Sequence, residues 1–301
     1  MTLPKAHHQS IQCPVSPGDI FFDNIVHFTA DMDDAAQDFE RAGFTLTPWS
    51  THHSQHGTSG TGNRCVMLRE GYLGLLANTG EPTAVSQQVT AALARYTGPH
   101  MLSFTTPDLA VKAKALKDEG FRVLPVLDLK RRISAVDGDE TELHFSVLRP
   151  APGQMAEGRF QYVTHHTPEA LWQERYIDHE NGAVKLISAL VTVDDVLEVA
   201  DRYRCFFGRE PTSVGSARAS EVARFELERG AITITNPAWG YAGTGNRPVP
   251  ALPCVPAYTL GFANLGATAA LWAQRGFDVA QAACGGLAIQ CAGATIIGYQ
   301  A

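Results

Sequence analysis

The sequence predicts an α+β chain built from four β-α-β-β-β units. Three observations predict it: a capping Asp or Asn recurs ahead of each helical pattern, a glycine closes the pattern, and a β-patterned run precedes every cap. Asp31, Asp108 and Asn264 each stand twelve residues before a glycine (Gly43, Gly120, Gly276), and Asp195 stands thirteen before Gly208. An Asp or Asn side chain accepts a free N–H of the first helical turn. The glycine supplies the left-handed residue after the last turn.

The elements follow in order. The runs ahead of the caps are DNIVHFTA, HMLSFTTP, LISALVTV and AYTLGFA. Between cap and glycine the apolar residues keep helical spacing: Ala35, Ala36, Phe39 and Ala42 in the first unit, and Val196, Val199, Ala200, Tyr203 and Phe206 in the third. Short β-patterned runs follow each glycine. They are expected at 44–49, 64–68 and 72–77, then 122–127, 142–148 and 160–165, then 211–214, 222–227 and 231–235, and finally 279–283, 287–291 and 295–298. Residues 83–96 predict a connecting helix, and 169–176 a short one. One unit cannot cover the open face of its own sheet, so units one and two pair, as do three and four. The expected organisation is an arm over 1–18, a first domain over 19–150 whose last strand continues to about 167, a last strand and linker over 151–182, and a second domain over 183–301.

Composition narrows the function classes. The 301 residues are 45% hydrophobic and 18% charged, which suits large buried cores. A net charge of -7 without a basic run argues against nucleic acid as a partner, and no apolar stretch is long enough to span a bilayer. The first nineteen residues hold no apolar leader segment, and the six cysteines show no CxxC spacing. They read as reduced thiols of a cytoplasmic protein, with Cys65, Cys205 and Cys291 as small core residues.

Particular motifs accompany the four units: DNIVHFTAD, then Gly60-Thr61-Gly62-Asn63 followed by RCVML, and Gly71-Tyr72-Leu73-Gly74-Leu75-Leu76. Together the units and these motifs resemble the vicinal oxygen chelate superfamily of glyoxalases, extradiol dioxygenases and bleomycin-resistance proteins. The segments His166-Thr167-Pro168-Glu169 and His179-Glu180-Asn181-Gly182 resemble the linker of the glyoxalase-like branch. The resemblance implies four βαβββ modules paired into two cup-shaped mixed β-sheets with helices outside. It also implies a divalent metal (Fe, Mn, Ni or Zn) held in a cup by His, Gln or Glu on the first and last strands, acting as a Lewis acid on two substrate oxygens.

Carried onto this chain, the first-strand ligand positions fall on Asn24, Met101, Ser188 and Ala257, and the last-strand positions on Gly74, Tyr162, Thr233 and Ile296. Few of these can ligate a metal. His27 lies three residues after Asn24 and so points to the opposite face. It is either a hydrogen-bonded histidine between sheet and helix or, in a shifted register, a cup residue. His165 and His166 end the last strand of unit two, and alternation sends one of them into the cup. His27, His165 and His166 are the candidate metal ligands. The catalytic candidates are His166 and His56, the latter in a Ser/Thr/Gly/His-rich loop over 50–62 read as a cover for the cup mouth. Asn24, Phe28, Trp49, Asn63, Tyr72 and Tyr162 are the expected ligand-binding residues. His179 and Asn181 are read as shaping the turn into unit three.

Two functions follow. One is a glyoxalase-like protein that binds a small molecule in the first cup without the family's full metal site. The other is a metal-dependent lyase or dioxygenase. A structural role for the second pair of units is a third reading, and a homodimer is a further option.

Overall fold

The computed structural model describes residues 11–54, 57–134, 140–217, 220–239, 244, 248–282 and 285–301. The first sheet is built from β1 (Phe21–Phe28), β2 (Ser50–Ser54), β3 (Gly57–Met67), β4 (Tyr72–Asn78), β5 (Gly98–Thr105), β6 (Leu127–Ser134), β7 (Glu140–Leu148) and β8 (Arg159–His165), in the order β2-β3-β4-β1-β5-β8-β7-β6. Each unit contributes four adjacent strands, with its first strand parallel to its last. The two units meet where β1 and β5 pair antiparallel. The second sheet repeats this arrangement with β9 (Ala183–Thr192), β10 (Ser213–Ala217), β11 (Ser220–Glu226), β12 (Ala231–Thr235), β13 (Cys254–Phe262), β14 (Ala280–Gln281), β15 (Leu287–Cys291) and β16 (Ala294–Gln300), in the order β10-β11-β12-β9-β13-β16-β15-β14.

The helices form where the caps predict. Asp31, Asp108, Asp195 and Asn264 each accept first-turn N–H groups of α1 (Met32–Arg41), α3 (Leu109–Asp118), α5 (Val196–Phe207) and α6 (Leu265–Gln274). Gly43, Gly120, Gly208 and Gly276 all take positive φ. Between the units of the first half runs α2 (Ala84–Leu93), closed by a capping box of Thr83 and Ser86. The linker holds α4 (Pro168–Leu171) and a 3₁₀ turn at Glu174–Tyr176 rather than one helix over 169–176, with Trp172 and Gln173 breaking the run.

Two stretches differ more from the expectation. Of residues 50–62, read as a loop, 50–54 and 57–62 are paired strands of β2 and β3, because a run of Ser, Thr and His suits an edge strand as well as a loop. In unit two the strand falls at Leu127–Ser134 rather than at 122–127. Its charged run (Asp128, Lys130, Arg131, Arg132) hid an edge strand that is wet on one side. Near the N-terminus, Gln12 is buried and donates to the carbonyl of Arg69, so this part of the expected arm is packed against the first half.

One core runs through both halves on the faces away from the cups. It joins Phe22, Ile25 and Phe39 of unit one and Phe104, Phe160 and Tyr162 of unit two to Tyr203, Phe206 and Trp272 beyond the linker. His27 belongs to this face. Its Nδ1–H donates to the Ala292 carbonyl at 2.9 Å, and its Nε2 accepts the Tyr258 hydroxyl at 3.1 Å. It is a hydrogen-bonded histidine between the halves and lies outside the cup.

Burial lowers the His27 pKa to about 4, and that of His100 likewise to about 4. Above pH 6.5 both rings are neutral in the folded and unfolded chain. Below it the unfolded chain takes up protons that the folded chain refuses, so stability falls as pH drops from about 6.5 towards 4. The His27 contribution is of order 3 kcal/mol across that window. Melting temperatures of wild type and His27→Gln between pH 7 and 4 check this: the variant's decline is expected to be shallower.

Candidate ligand site in the first cup

The concave face of the first sheet encloses a cavity of about 390 Å³. Strand alternation sets its walls. Val26, Leu76 and Met101 close one side and Leu129, Leu143 and Phe145 the other, while Gln161, Val163 and His165 alternate inward along β8. Asn63 and Tyr72 also line it.

Its polar end is built around Asp23 and His165, both buried. β1 has a register irregularity between Phe22 and Asn24. The bulge turns Asp23 to the cup side, where His165 Nε2 lies 3.1 Å from each carboxylate oxygen. A carboxylate only accepts, so in the neutral ring Nε2 carries the proton and Nδ1 is the acceptor nitrogen. That Nδ1 is buried and has no partner among the described residues. Trp172 holds the ring edge-on at 5.1 Å, anchored by its own indole N–H on the Leu68 carbonyl. Asn24 donates to Asp23 at 2.8 Å, and its Oδ1 is a second buried acceptor without a partner among the described residues. The Cys13 thiol packs against the His165 carbonyl, and burial together with Asp23 pushes it up to about 11.

The remaining expected site residues are scattered. Tyr162 lies on the opposite face, where its hydroxyl donates to the Phe206 carbonyl. Gln161 takes the inward position, one residue from the count. Trp49 lies over Gly62 on the outer side of β3, where a Cβ on Gly62 would sit 2.2 Å from its ring. Phe28 packs with Val26, Val89 and His100 and borders a neighbouring cavity. His56 lies outside the described residues. His179 and Asn181 brace the linker: His179 bonds Thr45 and Met67, and Asn181 bonds the Ala42 carbonyl.

His166 points away from the cup. It joins Asp128 and His144 on the other face of β6 and β7, with ligand atoms all within 4.8 Å of one another. Ser146 Oγ donates to Asp128 and accepts from His166 Nε2 at 2.6 Å. Partial burial and the neighbouring His144 lower the His166 pKa.

Paired β-α-β-β-β units closing around a cup define the class of this protein. The glyoxalase-like domain family profile matches residues 22–206, and the chain belongs to that family within the vicinal oxygen chelate superfamily. No curated protein sequence matches the chain. Solved structures share its fold at low identity. A hypothetical protein from Staphylococcus aureus aligns at 12% identity with a TM-score of 0.63, covering 94% of this chain and 100% of its own. A mutant of 4-hydroxymandelate synthase from Streptomyces coelicolor aligns at 13% identity and TM-score 0.56, with coverages of 88% and 77%. The 2,2',3-trihydroxybiphenyl 1,2-dioxygenase of Sphingomonas wittichii aligns at 10% identity and TM-score 0.52, with coverages of 93% and 90%.

The fold family implies a divalent metal between the first and last strands of a cup. In the first cup the paired central strands place Asn24 and Val26 beside Tyr72 and Gly74, and Met101 and Ser103 beside Arg159 and Gln161. Among the described residues, His165 is the one histidine lining this cavity, and the Asp23 carboxylate is already engaged by His165 and Asn24. This donor set does not fit the family's metal. The second half offers no imidazole, since no histidine follows His179. Its cavity of about 280 Å³ is lined by Ser188, Leu190, Thr233 and Ile297.

Proposed function

We propose that the first cup binds a small, largely apolar molecule and that His165, oriented by Asp23, exchanges a proton with it, with no metal in the cup. The observation that carries this reading is the pair itself. A buried carboxylate fixes one ring nitrogen, and the other has no partner among the described residues, in a ring bordering an apolar cavity. An imidazole so oriented is a general base for a carbon or oxygen acid bound beside it.

A thermal-shift screen with aryl and alkyl amides, alcohols and acids tests the reading. Stabilising compounds are expected to act on wild type and on Leu190→Trp, which fills the second cavity, but not on Met101→Trp, which fills the first. Compounds that still stabilise Met101→Trp and lose their effect on Leu190→Trp would place the site in the wrong half.

A second reading concerns a divalent ion outside the cup, at Asp128, His144 and His166. Two imidazoles and a carboxylate form a set that Zn or Fe takes with positions left open. Zn²⁺ at one hundred times its Kd is expected to stabilise wild type by about 2.7 kcal/mol and to leave His144→Ala/His166→Ala unshifted.

A further inference from the structure

The first cup contains a pair of arginines that the acid–base chemistry does not use. Arg149 follows β7 and Arg159 opens β8, and both border the cup cavity as well as a neighbouring cavity of about 360 Å³. Among the described residues, neither cavity has an Asp or Glu in its wall. Among the described residues, neither arginine has an ion-pair partner, although the chain as a whole carries -7. Arg149 is held in place: its Nε–H donates to Gln161 Oε1 at 2.9 Å, and Gln161 Nε2–H donates to Ser103 Oγ at 2.9 Å. This leaves the two terminal NH₂ groups of Arg149 as an end-on fork, the geometry that suits the two oxygens of a carboxylate. Thr83, Ala84 and Val85 also border the cup, so the positive end of α2 faces the same space.

We infer that the molecule bound in the first cup is an amphipathic carboxylate, its anionic group held by Arg149 and Arg159 and its apolar body directed towards His165. The inference rests on the cup being the binding site. Two guanidinium groups brought together in a wall without carboxylates repel each other until an anion joins them. In keeping with this, burial and the Arg159 charge pull the Arg149 pKa down to about 9, and burial pulls Arg159 down as well. An anion between them relieves both effects, whereas a neutral ligand relieves neither. The apolar walls formed by Leu129, Leu143 and Phe145 then cover the rest of the molecule.

The test compares 3-phenylpropanoate with its neutral amide, 3-phenylpropanamide, by isothermal titration at low and at physiological salt. The acid is expected to bind at least tenfold more tightly than the amide. Arg149→Gln and Arg159→Gln, each verified as folded by circular dichroism, are expected to erase that preference and leave the amide's affinity within about twofold. Acid and amide binding equally, with both lost in Met101→Trp, would overturn the carboxylate inference and leave the cup reading standing. Binding of neither, or binding unaffected by Met101→Trp, would overturn both.

Discussion

Phe206→Ala is expected to lower the free energy of unfolding by about 3–5 kcal/mol, the cost of removing a large buried ring whose space cannot collapse. Phe206 is fully buried on α5. It stacks on Tyr162 at a centroid distance of 4.9 Å and meets Phe104, Phe121 and Phe160 within 6.0 Å. These rings belong to the first half, whereas α5 opens the second. The truncation therefore removes contacts that bind the halves into one core, and the Tyr162 hydroxyl that reaches the Phe206 carbonyl loses its ring support. Urea unfolding followed by fluorescence is expected to show the midpoint falling for the whole chain. A loss below 1 kcal/mol, or a first half that keeps its wild-type midpoint, would show that the halves are stabilised separately.

Removing His165 alone is expected to cost a similar amount, about 3–5 kcal/mol, because His165→Ala strands the Asp23 carboxylate where no water reaches it. Asp23 would keep only the Asn24 amide as a close hydrogen-bond donor. The double variant Asp23→Leu/His165→Leu is expected to recover most of that stability, since an apolar pair of similar volume carries no desolvated charge. It is not expected to recover function. Unfolding of Asp23→Leu, His165→Leu and the double variant closes the cycle, and a true pair gives a coupling energy of at least about 3 kcal/mol. Additive losses would mean that the two side chains are independent. The comparison separates the stability role of the pair from its chemical one.

The frame of the fold was legible because caps and closing glycines are local. An Asp accepts its own helix's N–H groups whatever the rest of the chain does, so the count from Asp31 to Gly43 survives folding. Strand faces were less legible, since a one-residue slip exchanges them. Counting placed Tyr162 inward where Gln161 stands. Strict alternation, with Asn24 inward, sends Asp23 outward, and only the bulge in β1 brings it to His165. Of the adjacent histidines 165 and 166, one had to enter the cup. Which one depended on Asp128 and His144, residues of β6 and β7 that gather His166 on the other face. Arg149 and Arg159 went unnoticed because they flank a Pro/Gly-rich turn that reads as linker. Their signal was two cations at the ends of adjacent strands, with the one acid between them, Glu157, taken up by Arg202.

Ligand chemistry at His165 in the first cup is the central proposal. The most direct measurement is the two-bond ¹H–¹⁵N spectrum of the histidine side chains, recorded with and without 3-phenylpropanamide and 3-phenylpropanoate. It is expected to show His165 as the Nε2–H form, with its Nδ1 resonance moving on addition of the ligand while His27 and His166 stay fixed. A His165 signal unmoved at saturating ligand, with His144 and His166 shifting instead, would contradict the account and move the site to the outer face of the sheet.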